Sequence, residues 1–136
     1  MKRLAFLNLM VLLMFGATTA CRGEGDTLQD VEVGLQVIPD PPRIGSAVVE
    51  VTLQDAGGQP VAGAEMSLEG NMNHAGMVPI LARAAEVSPG RYEATLEFTM
   101  GGDWFILVQA MLPDGRTLKR QIAVPGVDAI CGTPVP

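Results

Sequence analysis

One short segment of this sequence gathers side chains with ligand chemistry: Asn71-Met72-Asn73-His74-Ala75-Gly76-Met77. His74 is the only histidine in the chain, and two methionines lie with it in the six residues from Met72 to Met77. A thioether sulfur is a soft donor and an imidazole a borderline one. Together they suit copper, Cu(I) above all, better than Mg or Ca. In an extended strand Met72 and His74 would share a face and Met77 would point away. Gly76 and Pro79 allow a bend, and a bend permits, without demanding, that all three come together. The same residues also have a purely structural reading. Methionine fills irregular gaps in cores, and Met72 continues the phase of Ala64, Met66 and Leu68. A histidine beside asparagines in a loop is ordinarily a solvated surface residue. Met66 and Met100 fall in phase with the apolar faces of their strands and are expected in the core.

The two cysteines are Cys21 and Cys131. Lys2 and Arg3 precede an apolar run from Leu4 to about Phe15, followed by Gly16, Ala17, Thr18, Thr19 and Ala20. This is the order of a secretory signal. The run is shorter than the ~20 apolar residues of a transmembrane helix. Thr18-Thr19-Ala20-Cys21 resembles a bacterial lipoprotein signal, in which Cys21 carries the lipid and becomes the mature N-terminus. A lipid on that sulfur excludes a Cys21–Cys131 disulfide and leaves Cys131 an unpaired thiol in a Gly/Pro-containing tail. The polar stretch from Arg22 to Asp30 reads as a flexible tether. Arg22 is not the Asp that often retains a lipoprotein in the inner membrane, so an outer membrane is the expected destination where the cell has one. The expected organisation is a signal at 1–20, a tether at 21–30, one domain at 31–125 and a tail at 126–136.

Other chemistries find little support. Nine Lys and Arg face fifteen Asp and Glu, for a net charge of −6. Two of those cations, Lys2 and Arg3, fall in the signal, and the acidic remainder argues against a nucleic-acid partner. No Cys-x-x-Cys or His-x-x-x-His is present, so a structural zinc site is not expected. No Gly-rich phosphate loop opens a helix, and a single histidine gives little support to a nucleophilic triad. No pair of carboxylates stands out, and no enzyme is expected.

The elements that would position the Met/His segment are strands. Val31, Val33, Leu35 and Val37 alternate with polar or small residues. So do Ala47, Val49, Val51 and Leu53, then Ala64, Met66 and Leu68, then Tyr92, Ala94, Leu96, Phe98 and Met100. Trp104, Ile106, Val108 and Ala110 form another set, with Phe105 and Leu107 making both faces apolar. Leu118, Ile122 and Val124 suggest a last strand, and Ile80 to Val87 a weaker one. A period of two is that of half-buried strands. Pro39, Pro41 and Pro42, Gly57-Gly58-Gln59-Pro60, Pro89-Gly90, Gly101-Gly102 and Pro113-Asp114-Gly115 punctuate them. About seven short strands so spaced predict an all-β antiparallel sandwich of immunoglobulin-like type.

Several of these segments, in this order, resemble YtkA-like domains: Asp55-Ala56-Gly57-Gly58-Gln59-Pro60-Val61-Ala62-Gly63-Ala64, the Met72–Met77 segment, Pro89-Gly90-Arg91-Tyr92 and Met100-Gly101-Gly102-Asp103-Trp104. The resemblance runs from about Pro39 to Val124. It implies a small exported immunoglobulin-like sandwich, usually membrane-anchored and related to FixH-type domains linked to copper-dependent oxidase assembly. Carried over to this chain, the implied copper ligands are Met72, His74 and Met77.

The expected protein is thus a lipid-anchored module facing the periplasm or the cell exterior. It binds or hands over Cu(I), with the membrane and a copper acceptor or envelope protein as partners. The alternative is an interaction module without metal, docking an envelope partner through a sheet edge or through the Met/His loop itself.

Overall fold

The computed structural model describes residues 28–129. The expected signal, the lipidated Cys21, most of the tether and Cys131 lie outside the described residues. Seven strands follow one another: β1 (Val31–Ile38), β2 (Gly45–Asp55), β3 (Glu65–Met72), β4 (Ile80–Ser88), β5 (Arg91–Phe98), β6 (Gly102–Met111) and β7 (Thr117–Val127). They are ordered β1-β2-β5-β4-β3-β6-β7, with every neighbouring pair antiparallel. β4 joins the two layers of the sandwich. Its first half, Ile80–Ala84, pairs with Gly70–Met66 of β3, and its second half, Ala85–Ser88, pairs with β5. The change of partner falls between Ala84 and Ala85, and a register shift follows between Glu86 and Ser88 within the β4–β5 pairing. One layer is therefore β1-β2-β5 and the other β3-β6-β7, as in an immunoglobulin-like sandwich.

Alternation in the sequence becomes alternation in burial. Val49, Val51 and Leu53 of β2 are fully buried, and they meet Leu68 of β3, Leu96 and Phe98 of β5, and Ile106 and Val108 of β6 in one core. Each such side chain contributes about 1.5–3 kcal/mol when fully removed from water. Among the described residues no charged or polar residue is buried, and no buried side-chain polar atom lacks a hydrogen bond. Val33 and Leu35 are only half-buried, because β1 is an edge strand. The packed part reaches past the expected 31–125 span at both ends. Leu28 is buried, β7 continues to Val127, and Asp128 is bonded to Pro42 and Ile44.

Met66 is buried as expected, but Met100 is not: it is 38% exposed. β5 ends at Phe98, opposite Gly45, the first residue of β2. With no ladder partner beyond that pair, the chain turns away before position 100 can reach the core. The Met100 carbonyl instead accepts a hydrogen bond from Trp104 Nε1 at 3.0 Å.

The β2–β3 connection is held by one buried phenol. The Tyr92 hydroxyl donates to the Val61 carbonyl at 2.9 Å and accepts from the Ala64 amide at 3.0 Å. Burial pushes this phenol above its ordinary pKa, so it stays protonated and able to donate. Tyr92→Phe removes both bonds and leaves the Val61 carbonyl and Ala64 amide without this partner. The expected loss is about 1–3 kcal/mol by urea unfolding; a loss below a few tenths would show that water replaces the hydroxyl.

The chain enters the fold under two arginines of the other layer. Arg116 pairs with Asp30 and Asp114, each at 2.7 Å, and Arg120 donates to the Leu28 carbonyl. Hydrogen bonds to Arg116 hold both carboxyls below the ordinary value of 3.8. A lowered folded-state pKa gives stability that is present above 3.8 and lost as pH falls through the lowered values. These groups are exposed, so the effect is small. Arg116→Ala is expected to lower the Tm slightly at pH 7 and to leave it nearly unchanged once both carboxyls are protonated, so that the fall of Tm across that acid window becomes smaller.

Candidate functional site

The Met/His segment closes one end of the sandwich. β3 runs out at Met72, which pairs with Trp104 of β6. A tight turn follows, in which the Met77 amide donates to the His74 carbonyl at 3.3 Å. Gly76 sits at φ +84°, in the left-handed region that favours glycine, and so lets the turn close. Asn73, His74, Ala75 and Gly76 are exposed, while Met72 and Met77 are half-buried and pack against the core. Both methionines therefore have a packing role, and the imidazole stands free on the solvent side. The turn ties His74 to Met77. On its other side Met72 faces Gly102, where a Cβ would lie 3.1 Å from Met72 Cε.

The segment itself is uncharged. From Gly70 to Ala82 the chain carries no Asp, Glu, Lys or Arg. Among the described residues no group of three or more His, Cys, Asp or Glu is placed to hold a metal ion. Thioethers and an imidazole are soft and borderline donors, the kinds a soft monovalent cation takes. The donor types of this segment are those of a soft ion such as Cu(I) rather than of Cu(II), which favours nitrogen and oxygen donors.

Two exposed apolar residues beside the loop escaped the sequence reading. Val78 is 77% exposed and Leu81 74% exposed. Their signal was present in the uncharged run Met77-Val78-Pro79-Ile80-Leu81, which does not alternate. Only the register of β4, with Leu81 opposite Glu69, shows that Leu81 lies on the outer face.

Fold and site together define a small immunoglobulin-like β-sandwich with an uncharged Met/His loop at one end. The family model described as YtkA-like matches residues 26–109, from ahead of β1 to near the end of β6. The chain belongs to the YtkA-like family. No curated protein matches the sequence. Similar solved structures include MtrC from Shewanella baltica OS185, at 17% identity and a TM-score of 0.47, covering 78% of this chain and 23% of MtrC. The PmoD soluble domain from Methylocystis sp. ATCC 49242 (Rockwell) is similar at 13% identity and a TM-score of 0.46, covering 72% of this chain and 90% of that one. Murine CRIg is similar at 12% identity and a TM-score of 0.43, covering 73% and 98% respectively. This chain thus spans less than a quarter of the length of MtrC.

Proposed function

We propose that this protein is a lipid-anchored, extracytoplasmic module that binds Cu(I) through Met72, His74 and Met77 and passes it to an acceptor. One observation carries the reading: an exposed imidazole stands on a tight turn, closed by the backbone bond from the Met77 amide to the His74 carbonyl, between two half-buried thioethers in a stretch without charge. Neutral soft donors favour the reduced ion. His74, the most accessible of the three, is the ligand an incoming acceptor displaces first. Cys21 supplies the anchor, and the function is binding and delivery rather than catalysis.

The test is a Cu(I) competition titration on the chain from Asp26 onward, with Cys131→Ser to remove the thiol. One equivalent is expected to bind. His74→Ala is expected to weaken binding at least about tenfold, ~1.4 kcal/mol, with Tm unchanged. Unchanged affinity in that variant removes His74 from the site, and failure to compete with a weak chelator removes copper altogether.

A second reading rests on Val78 and Leu81, whose exposure beside the loop suits an apolar protein contact. It gains if Cu(I) does not bind and if Leu81→Ser abolishes crosslinking of the anchored protein to an envelope neighbour.

A further inference from the structure

The turn between β5 and β6 lies at the same end of the sandwich as the Met/His loop. β3 and β6 are antiparallel neighbours with Met72 opposite Trp104, so residues 73–77 and residues 99–102 leave the sheet side by side. The second turn is fixed in place. Trp104 Nε1 holds the Met100 carbonyl at 3.0 Å. Gly102, at φ +123°, faces the terminal methyl of Met72, one bond from that residue's sulfur: a Cβ at Gly102 would lie 3.1 Å from it. Met100 is therefore held by its backbone two residues from Gly102, the residue that faces the Met72 methyl. The residue is 38% exposed although it continues the apolar phase of β5.

We infer that Met100 is a third thioether donor at this end, so that the site draws its ligands from two turns and takes a soft monovalent cation, Cu(I) or its redox-inert analogue Ag(I). The inference rests on the reading of Met72, His74 and Met77 as ligands and enlarges that set. Among the described residues, three of the five methionines then gather at one end: Met72, Met77 and Met100. The other two provide internal controls. Met66 is buried in the core. Met111 is 47% exposed, more than Met100, but stands nine residues along β6 from Gly102, a span of about 30 Å. Exposure without position thus separates Met111 from Met100. Ligands from two turns also make binding a staple between β3–β4 and β5–β6, and a ligand that binds only the folded state raises its stability.

The experiment uses the chain from residue 21 onward with Cys21→Ser and Cys131→Ser, labelled with carbon-13 at the methionine methyls and titrated with Ag(I). The methyl resonances of Met72, Met77 and Met100 are expected to move together up to one equivalent, while those of Met66 and Met111 stay. Met100→Leu, which keeps the apolar volume, is expected to lower Cu(I) affinity at least about tenfold with Tm unchanged in the metal-free protein. If Met72 and Met77 move while Met100 does not, or if Met100→Leu binds as the parent does, this inference falls and the loop site stands. If no methionine methyl moves, both fall together.

Discussion

Gly90→Ala is expected to destabilise the protein by about 3 kcal/mol or more, enough to unfold much of a marginal domain. Gly90 sits at φ +74°, and a Cβ there would lie 2.6 Å from Pro60 Cβ and 2.9 Å from the Leu53 carbonyl oxygen and Pro60 Cα. Two costs coincide. A left-handed conformation costs a residue with a Cβ about 1–2 kcal/mol. The obstructing atoms are backbone and ring atoms, which cannot swing aside. Retreat would also break the bond from the Leu53 amide to the Gly90 carbonyl, at 2.8 Å, which ties the β4–β5 turn to β2. Gly115 separates the two contributions. Its φ is +85°, but nothing lies within 4 Å of its Cβ position. Gly115→Ala should therefore lose only the conformational part, about 1 kcal/mol. Urea unfolding of both variants gives the steric part as their difference. Equal losses would mean that the β2–β3 loop yields to the new methyl.

Trp104→Ala is the other large effect, with an expected loss of about 3–5 kcal/mol. The indole is 2% exposed and meets Phe98 edge-on, with ring centroids 5.1 Å apart and an interplanar angle of 76°. Truncation opens a cavity between β5 and β6, loses the aromatic pair, and frees the Met100 carbonyl. Calorimetry or far-ultraviolet circular dichroism is the suitable probe, since Trp104 is the only tryptophan and its fluorescence goes with it. Trp104→Phe keeps a ring but removes the N–H, and should lose about 1–3 kcal/mol. An alanine variant no less stable than the phenylalanine one would show that the core collapses into the space.

Much of the fold was legible because a half-buried strand writes its burial directly into the sequence. Ala47, Val49, Val51 and Leu53 alternate with Val48, Glu50, Thr52 and Gln54, and only the first set is buried. Such a pattern shows phase but not where pairing stops. The Tyr92–Met100 alternation runs past the end of β5, and what ends the strand is its partner: β2 begins at Gly45 and leaves nothing opposite residue 100. The glycines at 101 and 102 were the local sign of a turn, yet they did not reveal that the preceding methionine is outside. β4 was faint for a related reason. It divides its pairing between two layers, so Ile80, Ala82 and Ala84 are only half-buried and the rest of the strand is exposed. At the site, residue types pointed to Met72, His74 and Met77. Depth was not legible: that both methionines rest against the core while the imidazole is free follows from the tight turn at Gly76.

The tie of Arg116 and Arg120 to Asp30 and Leu28 gives the molecule a direction. It fastens the incoming chain beside the β6–β7 turn, at the Met111 end of β6. The Met/His turn lies past the Trp104 end, so the whole length of that strand, about 30 Å, stands between the two. An anchor on Cys21 would then make the sandwich a stalk, with its root toward the lipid and its thioethers at the tip. A cation held there would be offered away from the bilayer, to a carrier arriving from the aqueous side rather than to a neighbour embedded in the same membrane.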